Sequence, residues 1–125
     1  YLLENKKITI TKLKEKITSE QLADIGKKAH HNFENKYRVY KFFRNKKYII
    51  NPGIKFGCDF AVYEKGPGID HSPYLIQVYN GNETIPATEI TIKGRLAASV
   101  KKQFIFAIPK GKDEINFIGL AWWKA

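Results

Sequence analysis

A mixed α/β fold is what the sequence predicts, on three observations. Two segments in the first third carry apolar residues at helical spacing. From residue 47 the pattern turns to short apolar runs and one alternating stretch, punctuated by Gly, Pro and Asn. A helix-suited segment at 87–101 then stands between strand-like runs, and strands interleaved with helices build mixed α/β domains. The 125 residues allow one domain, or one domain with a small extra lobe. A chain of this size buries roughly two thirds of its unfolded surface, enough for a core. Hydrophobic residues make up 43%, which argues against general disorder.

The boundary between a small front lobe (1–35) and the main domain (36–125) is expected near Asn35. In the lobe, Ile8-Thr9-Ile10 is expected as a strand within a lysine-rich stretch. Thr18-Ser19-Glu20-Gln21 reads as a helix start, where Thr18 or Ser19 caps and Glu and Gln follow in the first turn. That helix would run over about 19–33, with Leu22, Ile25, Ala29 and Phe33 on one face. A second helix is expected over 36–46. Val39, Phe42 and Phe43 would face a core there, and Lys36, Arg38, Lys41 and Arg44 would not.

Tyr48-Ile49-Ile50 leads into a turn at Asn51-Pro52-Gly53. Residues 56–64 alternate, with Phe56, Cys58, Phe60 and Val62 on one face and Gly57, Asp59, Ala61 and Tyr63 on the other. Gly66-Pro67-Gly68 opens a loop ending near His71. Strands are expected at 74–79, 103–108 and 115–123, with a helix over 87–101. Residues 109–114 would form a loop.

Charge narrows the partner. Lys and Arg number 22 against 12 Asp and Glu, a net of +10, and the pI is near 9.7. Such a balance favours a polyanion, nucleic acid first and an anionic membrane second; plain solubility is the competing reading. The longest apolar runs fall far short of the ~20 residues of a membrane span. The opening Tyr1-Leu2-Leu3-Glu4 has no Met and no signal-peptide pattern, and reads as a truncated start. A cytoplasmic location is expected. Cys58 is alone, so no internal disulfide and no Cys-based zinc cluster is expected.

Several chemistries lack support. His30-His31 on a helix would point about 100° apart, a poor pair for one ion. Asp59 suits the first acid of a restriction-type nuclease, but Gln77-Val78-Tyr79 on the next strand offers no carboxylate or lysine. No Gly-x-Ser-x-Gly occurs, and Gly66 and Gly68 do not open a P-loop. What remains is a metal-free set, Tyr63, His71 and Lys102. If the strands before and after the 66–71 loop pair, Tyr63 and His71 meet at one end of a sheet. Arg95 and Lys102, seven residues apart, would share a helix face, with Lys101 turned about 100° away. Taken alone this set is a weak signal, because most chains hold such residues somewhere.

Longer stretches carry more. Tyr37 to Tyr63, with Lys47-Tyr-Ile-Ile50 and Gly53-Ile-Lys-Phe-Gly-Cys-Asp-Phe60, resembles the catalytic domain of archaeal tRNA-splicing endonucleases. Gly66-Pro67 through His71-Ser72-Pro73-Tyr74-Leu75 resembles that family's histidine loop. Arg95-Leu-Ala-Ala-Ser-Val-Lys-Lys102 resembles its "arg-x-ala-x-ser-val-arg-lys" helix. The matches run in order over about 37–108. Residues 1–36 resemble the tail of the family's front lobe, much of which would be missing, as in a truncated chain or a short subunit type.

The resemblance implies a central mixed sheet flanked by helices, and a metal-independent endonuclease (a tRNA-intron lyase) acting on precursor tRNA. By position, Tyr63, His71 and Lys102 take the catalytic slots: general base, general acid, and the cation that steadies the transition state. A phenol is a poor base unless its surroundings lower its pKa from about 10, and Lys102 nearby would do so. Lys101 fills a slot often held by arginine. Arg95 matches the residue that clamps a flipped bulge base, and Trp122 or Trp123 would be the opposing plate. The resemblance implies no cofactor and no metal. It also implies a homo- or hetero-oligomer, formed through the last strand and an acidic loop at 109–114. Asp113 and Glu114 lie in that loop, but Lys110 and Lys112 dilute its charge. Two competing readings stand beside this one: a non-catalytic RNA-binding subunit of the same assembly, and a metal-dependent DNA nuclease on a restriction-type scaffold.

Overall fold

Thr18 starts the first helix. Its hydroxyl accepts from the Gln21 N–H, and the Gln21 side chain accepts from the Thr18 N–H. This reciprocal box satisfies two N–H groups that a helix start otherwise leaves bare, and α1 follows over Ser19–Ala29. It stops four residues short of the expected end. His30 caps it with its N–H on the Gly26 carbonyl, so the histidine pair sits at the helix end rather than on the helix. A Cβ on Gly26 would come within 2.5 Å of the Phe33 ring, so only glycine leaves that ring room. Before α1 lies an antiparallel hairpin of β1 (Ile10–Lys12) and β2 (Glu15–Ile17). It begins two residues later than the strand expected at Ile8.

The computed structural model describes residues 1–66, 68, 69 and 74–121. They fall into two units, Tyr1–Glu34 and Asn35–Ala125. The first has none of the buried apolar core. Leu22 and Ile25 of α1, expected on a packed face, are 37% and 49% exposed.

The second unit is built on a five-stranded sheet in the order β3-β4-β5-β6-β7. The strands are β3 (Ile49–Pro52), β4 (Phe60–Tyr63), β5 (Tyr74–Val78), β6 (Gln103–Lys110) and β7 (Glu114–Leu120). All neighbours are antiparallel except β5 and β6, which are parallel. Parallel neighbours need a crossover, and α3 (Ala87–Ser99) supplies it. The expected mixed fold, a central mixed sheet flanked by helices, is present.

Alternation along the strands sends side chains to two cores. Phe60, Val62, Ile76, Val78, Ile105 and Ala107 meet Val39, Phe42 and Phe43 of α2 (Phe33–Asn45) on one face. Ala61, Tyr63, Leu75, Phe104 and Phe106 meet Leu96, Ala97 and Val100 on the other. The sheet is therefore covered on both faces. Arg38 of α2 also donates to the carbonyls of Lys110 and Glu114, binding the helix to the β6–β7 hairpin.

Three expectations fail, each for a local reason. Asn51 and Pro52 belong to β3, not to a turn. The alternating stretch at 56–64 is not one strand: a 3-10 turn, Ile54–Phe56, precedes β4. Gly57 ends it at φ 61°, a left-handed conformation open to glycine. This shifts the phase, so Cys58 packs with Ala61 and Leu75, not with Phe60 and Val62. Finally, the 109–114 loop contracts to Gly111–Asp113. Pro109 and Lys110 are in β6, and Lys110 pairs with Glu114 of β7.

Candidate active site

Sheet register brings two of the three predicted catalytic residues to one place. Tyr63 is the last residue of β4, and Val62 beside it pairs with Tyr74, the first residue of β5. Tyr74 in turn pairs with Gln103, the first residue of β6. Lys102 directly precedes Gln103. Tyr63 and Lys102 therefore stand at the same end of the sheet, two strand spacings or about 10 Å apart along the backbone. They also share a face. Tyr63 packs on the core cluster that includes Ala61 and Phe104, as does Phe56, and the Lys102 ammonium lies over the Phe56 ring, 5.6 Å from its centroid. His71, three residues before β5, lies outside the described residues, as do Trp122 and Trp123.

Lys102 is not on the helix, as the sequence suggested. α3 ends at Ser99 with Val100 as its cap. The Lys101 N–H bonds to Ala98 O and the Lys102 N–H to Ala97 O. Lys101 itself is left-handed, at φ 52°. These are the marks of a Schellman turn, with lysine where glycine is usual. The turn swings Lys102 off the helix axis, so Arg95 and Lys102 share no helical face. Arg95 remains in α3, one turn before its end, and is exposed.

Asp59 is engaged elsewhere. One carboxylate oxygen lies 2.7 Å from Lys36 Nζ. The other accepts from Gln77 Nε2 at 2.9 Å and the Val78 N–H at 2.8 Å. The contacts fall at the far end of β5, away from Tyr63. Asp59 thus ties α2 and β5 together instead of facing a substrate. Cys58 is buried, which pushes its thiol up to about 11, and Lys93 nearby only partly opposes this. It is a packed apolar group, not a nucleophile. Tyr79 is likewise held protonated by burial and by its hydrogen bond to Glu89. Among the described residues, no three His, Cys, Asp or Glu are placed to hold a metal ion. None of the helices among them is long and apolar enough to cross a membrane.

The sequence placed Phe56 on a strand face, within the Gly-x-Lys-Phe-Gly run, and gave no sign of its contact with Lys102.

The sequence that builds this twice-covered mixed sheet matches known proteins. The family described as tRNA intron endonuclease, catalytic C-terminal domain, covers residues 33–117. A tRNA-splicing endonuclease of Pyrobaculum arsenaticum is 42% identical over 124 residues, which is 98% of this chain and 68% of that protein. One of Pyrobaculum islandicum is 40% identical over 126 residues, 99% of this chain and 69% of that protein. One of Hyperthermus butylicus is 45% identical over 93 residues, 74% of this chain and 51% of that protein. The chain belongs to the tRNA intron endonuclease catalytic-domain family. It is an enzyme, an endonuclease of tRNA introns.

Proposed function

We propose that the chain cuts precursor tRNA at intron–exon junctions, in bulge-helix-bulge RNA, with no metal in the chemical step. RNA carries its own nucleophile. Tyr63 removes the 2′-hydroxyl proton, and that oxygen attacks the adjacent phosphorus. Lys102 steadies the charge on the phosphorane. The bond to the 5′-oxygen breaks as His71 hands that oxygen a proton. One fragment keeps a 2′,3′-cyclic phosphate and the other a 5′-hydroxyl. A positioned acid and base each contribute roughly 10²–10⁴-fold, and a fixed cation acts where negative charge grows. The observation that supports this reading is the register bringing Tyr63 and Lys102 to one end and one face of the sheet.

Recognition is of shape and unstacked bases, as A-form RNA requires. Arg95 stacks on one flipped base, with Trp122 or Trp123 as the opposing plate, and Lys101 holds phosphate. Two bulges call for two centres, so the working form is an oligomer, of this chain or with a related subunit, in the cytoplasm. β7 suits the contact: it is an edge strand with Phe117 37% and Ile118 49% exposed. The three-residue turn at Gly111–Asp113 leaves little loop to insert into a partner, so strand contact carries the larger share.

The test is cleavage of a bulge-helix-bulge RNA in EDTA, followed by end-group analysis. Cyclic phosphate and 5′-hydroxyl ends are expected. Fragments with 3′-hydroxyl and 5′-phosphate ends, or cleavage only with magnesium, would point to a restriction-type reaction instead. In the same assay His71→Ala slows cleavage by orders of magnitude and leaves RNA affinity nearly unchanged; full activity in that variant sinks the acid role.

A further inference from the structure

We propose that Phe56 is a positioning residue for the Lys102 ammonium, and that the Gly53–Gly57 turn is a platform for its ring. This deepens the reading above and rests on the role given there to Lys102.

A lysine is a point charge on a flexible stem, so a fixed backbone does not by itself fix the charge. The Lys102 backbone is anchored through its N–H on Ala97 O at 2.9 Å. Its ammonium lies 5.6 Å from the Phe56 centroid, within the range where a ring's negative face attracts a cation. The ring is itself held. The Phe56 N–H donates to Gly53 O at 2.9 Å, the Gly57 N–H to Ile54 O at 3.0 Å, and the Cys58 N–H to Gly53 O at 3.2 Å. Lys93 of α3 donates from Nζ to Gly57 O, tying the turn to the helix that leads to Lys102. A Cβ on Gly53 would come within 2.5 Å of Cys58 Sγ and 2.7 Å of Cys58 O, so the turn closes this tightly only around glycine. Phe56 packs on the same cluster as Tyr63.

The charge pattern gives the ring a task beyond filling space. Lys55 Nζ also lies 6.0 Å from the Phe56 centroid. Three ammonium groups, on Lys55, Lys93 and Lys102, thus surround one short turn and repel one another. A leucine at position 56 would fill the cluster and offer no negative face to offset that repulsion. Lys102 would then be held less closely at the end of the sheet where the phosphorane forms.

The experiment is single-turnover cleavage of a bulge-helix-bulge RNA by the full chain. It is read with RNA affinity and thermal melting, for Phe56→Leu, Phe56→Tyr, Lys102→Ala and a series with fluorinated phenylalanine at position 56. Fluorine drains the ring's negative face and barely changes its shape, so the series works even where Phe56→Leu folds poorly. Lys102→Ala is expected to lose cleavage and keep binding. Phe56→Leu should cleave about tenfold more slowly with RNA affinity unchanged. Phe56→Tyr should keep the native rate, and the rate should step down with each added fluorine. A flat fluorine series, or a loss confined to RNA affinity, overturns the proposal while a dead Lys102→Ala leaves the mechanism standing. Native cleavage by Lys102→Ala overturns the mechanism beneath it.

Discussion

Lys101 serves two ends that pull apart. Its left-handed backbone lets Lys102 leave the helix, and that conformation costs a residue with a Cβ about 1–2 kcal/mol. Glycine would avoid the cost but lose about 0.5–1 kcal/mol through its freer unfolded chain. Lys101→Gly should therefore gain about 0.5–1 kcal/mol, a few degrees of melting temperature. The same variant should bind RNA more weakly and with a shallower salt dependence, having lost a cation. Melts and salt-titrated binding check the two halves separately. Cys58 sets a pH limit. Its folded thiol is raised above the ordinary 9.0, to about 11, so the fold prefers the neutral form. That contribution is whole below pH 9 and is lost as pH rises through about 11. Urea unfolding of Cys58→Ala should show lower stability at pH 7, from lost packing, and a shallower decline between pH 9 and 11.

Helices and strands were largely legible where periodicity spoke, and illegible where one backbone angle decided. The capping pattern at Thr18 and Gln21 read correctly because both partners are chemically marked. The end of α3 did not, since lysine carries no stop signal and its left-handed φ is invisible in sequence. The strand expected at 56–64 misled for a similar reason: alternation continued through a 3-10 turn. The proposed catalytic set, Tyr63, His71 and Lys102, came from the resemblance and not from any pattern in the sequence. Only the β4–β5–β6 register supplies a physical reason for Tyr63 and Lys102 to stand at one end of the sheet. Asp59 shows how an element-level role hides in a strand pattern. Its side chain is 12% exposed and binds Lys36, Gln77 and Val78. Asp59→Ala should cost about 2–3 kcal/mol, because it strands a partly buried ammonium and a backbone N–H. Denaturant unfolding measures this, and a loss below 1 kcal/mol would mean that water replaces the carboxylate.

At the scale of the whole molecule, two features bear on the proposed assembly and on substrate capture. β7 closes one edge of the sheet and keeps Ile118 exposed on the face opposite α2. Ile118→Lys should lower the assembled mass in sedimentation and leave the chain folded, since an edge lysine deters strand pairing. Unchanged mass would move the contact elsewhere. The net charge of +10 should make RNA affinity fall steeply with salt. The direction of α3 bears on that capture. The helix returns from the end of β5 to the start of β6, so its carboxyl terminus faces the sheet end that holds Tyr63. A helix carries about half a negative elementary charge at that pole. An approaching phosphate thus meets an adverse dipole first, the reverse of a helix-start anion cradle. Lys101 and Lys102 outweigh that pole, roughly two charges against half of one, so neutralising either leaves a local potential that still attracts RNA, but more weakly than a bare count of lysines gives.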